Sequence, residues 1–379
     1  MASISAEKNV HAAVEALRAD AHKLSLIEFA QARPVFELAE PPQTAVAHIW
    51  KWRDYYPMLR RAASLLDVGK TFRRSFMFSN PGLFPKPFMT PTLDGACSLY
   101  NPGERAPVHR HTASASRIGI EGAGGFSTIN GEKCSMGSGD LVLTPGGTWH
   151  DFGNESEKEA LFIDIVNDPL CMALGATFYE LDYREDGVPQ HLQTVREPLN
   201  HSINLYSTGG IVPTFVKHGR GWNPSASPMW VYRFEHVRET LDRLRDHDGD
   251  PYDGLIIEYV NPTTGGPGMP TMSFHMRMLR PGERTAEHRH TSTAVYCAVH
   301  GSGMTHIAGA SFQWEKNDVF VVPSWTWHSH HNVSESDAFL ISVSDEAAMR
   351  KLSLYREQGR GKDGDIIERV TEFNEKNNR

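Results

Sequence analysis

Two segments of this 379-residue chain repeat each other in register, and that repeat limits the architectures open to it. Pro102-Gly103-Glu104-Arg105-Ala106-Pro107-Val108-His109-Arg110-His111-Thr112 returns as Pro281-Gly282-Glu283-Arg284-Thr285-Ala286-Glu287-His288-Arg289-His290-Thr291, an offset of 179 from His109 to His288. Pro145, Trp149, His150 and Asn154 return as Pro323, Trp327, His328 and Asn332, an offset of 178. A single-residue indel between Gly124 and Ile129 reconciles the two values. Chance supplies one His-x-His readily, but not two sets in constant register. The chain therefore carries a duplicated domain.

Each copy reads as β-structure. Short apolar runs such as Asp140–Thr144 and Asp318–Val322 are bounded by Gly, Pro and Asn, which punctuate strands. Asn130-Gly131 fits a two-residue hairpin turn. Many short antiparallel strands predict a jelly-roll barrel for each copy. The fold class expected is all-β dominated: two jelly-roll β-barrels with an N-terminal helical extension. Apolar and small residues at three-to-four spacing predict one helix from Ser5 to about Gln31, with Ser5 as its N-cap. A second, strongly charged helix is expected at Val237–Arg245. The expected boundaries are an extension over 1–70, a first barrel over 71–185, a connection over 186–250, a second barrel over 251–360 and a polar tail over 361–379.

Composition removes several function classes. The net charge of −8 argues against a nucleic-acid partner. No run approaches 18 apolar residues, so no membrane span is expected. Charged residues interrupt Ser5–Gln31, which leaves no apolar stretch of the kind found in a signal peptide. Cys97, Cys134, Cys171 and Cys297 show no CxxC spacing, so free thiols and a cytoplasmic setting are expected.

Histidine is the informative residue, with 19 in the chain. Residues i and i+2 of a strand share a face, so His109 and His111 project into one barrel interior while Arg110 points away. A barrel can bring His150, at the start of a later strand, beside them. Three neutral imidazoles suit Fe, Zn, Cu or Ni and leave coordination positions open. Three His without a carboxylate also keep the centre at 2+, which favours anionic chelating substrates. His288, His290 and His328 offer a possible second metal site. A lone His-x-His is more often surface or packing, and it is the third His in both copies that shifts the balance to metal. Gly139, Pro145, Gly147 and Asn154 read as turn formers, and Trp149 and Trp327 as barrel packing. His48, His218, His275, His330 and His331 read as surface groups or as outer neighbours of the sites.

The spacings Gly103-x5-His109-x-His111 and Gly139-x5-Pro145-x-Gly147-x2-His150-x3-Asn154 match the two cupin motifs. The usual glutamate ligand after the second His is absent, since Thr112–Ser116 contains none. In this the chain resembles the gentisate/salicylate 1,2-dioxygenase family, bicupins whose iron is held by three histidines. The likeness extends through His48–Trp52, Asn80–Leu83, Asn261–Gly266, Met269–Thr271 and Val321–Trp325. It implies an Fe(II) enzyme that uses O2 to cleave a 2-hydroxybenzoate-type ring between the carboxyl-bearing and hydroxyl-bearing carbons; gentisate would give maleylpyruvate. By the same resemblance, Arg73 and Arg117 bind the substrate carboxylate, as guanidinium forks can, and Asp164 orients a neighbour. The alternative for Arg117 and Asp164 is an ion pair that braces the barrel. A homotetramer is also implied.

The chain departs from the family at three pocket positions: Phe152 stands for a His, Ser98 for a Gln and Asp94 for a Trp. A substituted salicylate (amino, nitro or chloro) or 1-hydroxy-2-naphthoate is therefore as apt a substrate as gentisate. Aligning the halves places Tyr296 against Arg117, Ser342 against Asp164 and Tyr252 near Arg73. The second copy is thus expected to lack the cationic clamp and the first to be catalytic. The competing readings are another metal-dependent cupin enzyme, quercetinase-like or an isomerase, and a storage protein of the seed bicupin kind.

Overall fold

The computed structural model describes residues 2–71, 73–122, 124–220, 222 and 224–370. The chain divides into two units, Met1–Pro42 and Gln43–Arg379. The first unit holds two helices, Ala2–Lys23 and Phe29–Phe36, where one helix from Ser5 to Gln31 was expected. Ser5 lies inside the first helix and is not its cap. The helix ends where Ser25 turns left-handed (φ 58°) and the amides of Leu24 and Leu26 both fold back on the Ala21 carbonyl.

The second unit contains two antiparallel barrels, each made of two sheets. In the first barrel, one sheet runs in the order Val231–Tyr232, Leu141–Thr144, Ala115–Glu121, Ala160–Val166, Asp94–Tyr100, Ser75–Met77. The other runs Tyr179–Glu180, Arg105–His111, His150–Asn154, Gly125–Ile129, Glu132–Met136. The second barrel repeats the plan. Its sheets run His48–Trp50, Val319–Val322, Ala294–His300, Ala338–Ser344, Ser273–Leu279, Leu255–Glu258, and Ala310–Glu315, Ser302–Ile307, His328–His331, His288–His290, Glu357–Arg360, Ile366–Val370. Among the described residues no helix is long and apolar enough to cross a membrane.

Alternation explains why the central strands are buried throughout. Leu161, Ile163 and Ile165 face a core shared with Met276, Val295 and Ile341 of the other barrel, whereas Phe162 joins Tyr100 and Phe152 inside its own barrel. The long sheets of the two barrels thus pack face to face, apolar on both sides. Asn130-Gly131 forms the expected hairpin turn, both residues at positive φ. Ala308-Gly309 makes the same turn in the second copy. The motif asparagines do more than turn the chain. Asn154 Nδ2 donates to the Tyr100 and Lys158 carbonyls, and Asn332 Nδ2 to those of Leu279 and Ser336, both side chains fully buried.

Three expected boundaries differ from the structure. The 1–70 extension contributes the strand His48–Trp50 to the second barrel, where it pairs with Val319–Val322. The 186–250 connection contributes Val231–Tyr232 to the first barrel, where it pairs with Leu141 and Val142. Ile366–Val370, placed in the polar tail, forms an edge strand on Glu357–Arg360; residues 371–379 of that tail lie outside the described residues. The first two strands are too short for periodicity to reveal, and each takes its hydrogen bonds from a partner remote in sequence, whereas the third closes a local hairpin. The charged helix forms at Phe234–Arg243.

A candidate metal centre in each barrel

His109 and His150 are direct cross-strand partners, which is how the third imidazole reaches the first pair. Ring centroids stand 4.2 Å apart for His109 and His150, 5.0 Å for His111 and His150, and 5.7 Å for His109 and His111. One nitrogen from each ring falls within 4.8 Å of the others. Every Nδ1 has a backbone carbonyl partner: Pro107 for His109 at 2.9 Å, Ala113 for His111 at 2.8 Å and Thr148 for His150 at 2.9 Å. A carbonyl only accepts, so each Nδ1 carries the proton and each Nε2 keeps a lone pair for a metal. Burial is the main force holding all three rings neutral. It drives His109 and His150 well below the usual histidine range, aided by neighbouring imidazoles, and His111, with Arg73 adding, down to about 4.

The wall around the triad is cationic and aromatic. Arg117 Nε donates to Asp164 Oδ1 at 2.6 Å and its Nη1 to Ser127 Oγ, with Asp164 directly opposite on the adjacent strand. The Arg117 guanidinium lies 3.8 Å over the Phe152 ring and 4.8 Å from that of Phe162. Phe152, two residues beyond His150, also meets the His109 ring edge-on at 6.0 Å. Arg73 reaches His109 Nε2, lies 5.3 Å from the Phe152 ring centre and sits 3.5 Å from the Tyr179 hydroxyl. Thus His109, His111, His150, Arg73, Arg117, Asp164 and Phe152 assemble at one place. Ser98 is buried on the same sheet and shares a hydrogen bond with Ser75. Asp94, the first residue of that strand, is 7% exposed, with Oδ1 lacking a hydrogen-bond partner among the described residues. Burial, then nearby Asp168, pushes its carboxyl up to about 8.

Tyr179, Ser127 and Phe162 were not singled out from sequence. Tyr179 stacks on His109 at 5.4 Å and on His111 at 5.7 Å. Its strand pairs with the His-x-His strand from 68 residues away, and no motif marks it. Trp149 and Trp327, expected as barrel packing, are partly exposed instead. Each carries the arginine of its His-x-His, Arg110 at 4.7 Å and Arg289 at 4.8 Å from the ring.

The second triad repeats the first. His288 pairs directly with His328, their ring centroids 4.2 Å apart, and the three ring nitrogens again fall within 4.8 Å. Nδ1 of His290 and of His328 donates to the Ser292 and Thr326 carbonyls, while Nδ1 of His288 meets Glu357 at 3.2 Å. Nε2 of His288 and of His328 is buried without a hydrogen-bond partner among the described residues. Such atoms are costly to bury, and a metal ion satisfies them.

The positions aligned with the first barrel's clamp carry no guanidinium, but one enters this barrel from another strand. Strand register places Arg277 opposite Ile256 where Ser98 faces Ser75 in the first barrel, so the cation enters from a different strand. Arg277 is 3% exposed and contacts Asp253, with His330 Nε2 at 2.8 Å. His330 is fully buried, not a surface group. Arg277, Asp253, Tyr296 and the imidazoles of His288 and His290 line a cavity of about 210 Å³.

Two facing barrels, each with three inward imidazoles able to hold a metal ion, define a bicupin. A cupin-domain model matches residues 98–166 and 275–344. The chain is 36% identical to a 5-aminosalicylate 1,2-dioxygenase of Comamonas sp, over 82% of this chain and 80% of that protein. It is 33% identical to gentisate 1,2 dioxygenase 1 of Aquipseudomonas alcaligenes, over 84% and 88% respectively. The salicylate 1,2-dioxygenase of Pseudoaminobacter salicylatoxidans, solved with gentisate, superposes with a TM-score of 0.82 at 30% identity, covering 92% of this chain and 94% of that one. The chain belongs to the gentisate/salicylate 1,2-dioxygenase family of ring-cleaving oxidoreductases.

Proposed function

We propose that the first barrel binds Fe(II) through His109, His111 and His150 and opens the ring of a 2-hydroxybenzoate-type acid between its carboxyl-bearing and hydroxyl-bearing carbons. The observation that carries this reading is the meeting of three Nε2 lone pairs with two guanidinium groups on one wall. When bound, the metal couples an electron-rich ring to dioxygen. The protein does the rest by placement. Arg73 and Arg117 take the substrate carboxylate, a task for which a planar fork is suited. Asp164 and Ser127 hold Arg117 in position, so the ion pair serves the site instead of merely bracing the barrel. Phe152 and Phe162 keep water from the guanidinium. Arg73 touches the Nε2 lone pair of His109 that a metal would take, so Arg73 would have to leave that nitrogen for a metal to be held there.

Gentisate, 5-aminosalicylate and 1-hydroxy-2-naphthoate, the acids named for relatives, form the substrate set. The four free cysteines accord with a cytoplasmic setting, and a homotetramer, the assembly the family suggests, is checked by light scattering. Anaerobic loading with Fe(II), then O2 uptake on a panel of salicylates, tests the activity. Absence of uptake on every 2-hydroxyaryl carboxylate would sink it. The second barrel also fits a metal, because its triad is complete and two of its Nε2 atoms are stranded. The first barrel alone carries the two arginines that the family resemblance assigns to the substrate carboxylate, so we assign turnover to it.

A further inference from the structure

The second barrel has a cavity of its own beside its triad, about 210 Å³ in volume. The strand faces that build it match those around the first triad, but the residues on them have changed. Where the first barrel carries Ala96, Ser98 and Val166, the second carries His275, Arg277 and Ser344. Of the residues that line the cavity, only Ile256 and Ala294 lack a polar side-chain group. Arg277, Arg350 and Arg369 meet Asp253, Glu346 and Glu357 there as three ion pairs. These six charges cancel, so a divalent ion on the triad leaves the cavity with two positive charges in excess. Ser344 is 5% exposed and lines the cavity, yet its Oγ has no hydrogen-bond partner among the described residues. A buried hydroxyl in that state is destabilising until a ligand pairs with it.

Volume alone would admit a benzene-sized ring, which a cavity of about 150 Å³ can hold. The lining decides against one, because ring carbons would take water from charges and hydroxyls without replacing its hydrogen bonds. We propose that the second barrel is a metal-dependent binding site for a short aliphatic dicarboxylate bearing a 2-hydroxy or 2-oxo group, with Ser344 donating to one of its carboxylates. The proposal rests on the reading that His288, His290 and His328 hold a divalent metal. Three protein ligands leave positions open on the ion, which a carboxylate and the adjoining oxygen can chelate. A dianion then cancels the two excess charges, and the Ser344 hydroxyl gains a charged acceptor, the stronger kind of hydrogen bond.

The test is isothermal titration of malate, succinate and salicylate into the full-length His111→Ala chain, loaded anaerobically with Fe(II) and analysed for metal on the same sample. The second site is expected to keep its metal. Malate should bind about tenfold or more tightly than succinate, which lacks the chelating hydroxyl, or than salicylate. Ser344→Ala in that background should keep the metal and weaken malate about tenfold. Adding His290→Ala should abolish both metal and malate binding. Metal retained without a preference for malate overturns the proposal and leaves the metal reading standing. Loss of metal from His111→Ala overturns both, and the metal analysis tells the two failures apart. An unchanged Kd for malate in Ser344→Ala overturns the assignment of Ser344. If His111→Ala does not fold, the native Fe(II) chain saturated with salicylate carries the comparison. Malate should still bind there, and failure to bind overturns the proposal.

Discussion

At the scale of single residues, the first site combines groups that burial makes expensive with partners that offset the cost. Arg117 is the clearest case, held by a carboxylate on one side and a hydroxyl on another, with an aromatic face against its guanidinium. Arg117→Lys keeps the charge and loses the fork, so KM for a salicylate should rise about tenfold or more, with a smaller change in kcat, in steady-state O2 uptake. Among the described residues Asp94 has no such partner for Oδ1, and its carboxyl is raised from 3.8 to about 8. The folded protein therefore retains a proton that the unfolded chain releases. The stabilising contribution is fully present below pH 3.8 and is lost as pH rises toward 8. Asp94→Asn does not titrate, so it should gain on the native chain by on the order of 1–3 kcal/mol between pH 4 and 9. Urea denaturation of the metal-free protein across that range gives the comparison.

At the scale of elements, the repeat reaches further than the histidine motifs. The strand His48–Trp50 leads into the helix Trp52–Leu65, and Asp318 accepts from the Trp52 amide at 2.7 Å and from Lys51 Nζ at 2.7 Å. The strand Val231–Tyr232 leads into the helix Phe234–Arg243, and Asp140 accepts from the Phe234 amide at 2.9 Å and from Arg233 Nη1 at 2.5 Å. Each arm pairs its strand with the opposite barrel, then lays its helix against the barrel that follows it in sequence. Asp140 and Asp318 occupy the same turn in the two copies and fasten each arm by capping its helix. Either Asp→Ala change leaves a partly buried cation and a helix N-terminus without their shared carboxylate. A loss of about 2–4 kcal/mol is expected for each, measured by urea denaturation. Similar losses would support the equivalence of the two arms, whereas a negligible loss at one would show that its arm is held by apolar contact.

At the scale of the whole molecule, two copies of one barrel have diverged around nearly unchanged triads. His111→Ala should lower O2-uptake turnover at least a hundredfold and remove one metal equivalent per chain. His290→Ala should remove the other equivalent and leave most of the turnover, with both values read by metal analysis and O2 uptake on one sample. Loss of turnover in His290→Ala with retention in His111→Ala would reverse the assignment of the barrels. The molecule was legible from sequence wherever function rests on local spacing. His-x-His puts two imidazoles on one strand face, and the later His sits at a strand start, so the duplication, the barrel class and both triads could be read from the chain. Arg73, Arg117 and Asp164 came from family resemblance, and the structure brings them to the triad. The exchange of arms between barrels was not legible, because strands of two or three residues carry no periodicity and their partners lie far off in the chain. Arg277 was missed for a related reason: a cation can enter a barrel from any of several strands, and only register says which two face each other. Sequence by itself marked the two triads, since each rests on an i, i+2 pair within one strand and a later histidine at a strand start. Tertiary structure alone decided what surrounds each triad, since that depends on contacts between strands far apart in the chain.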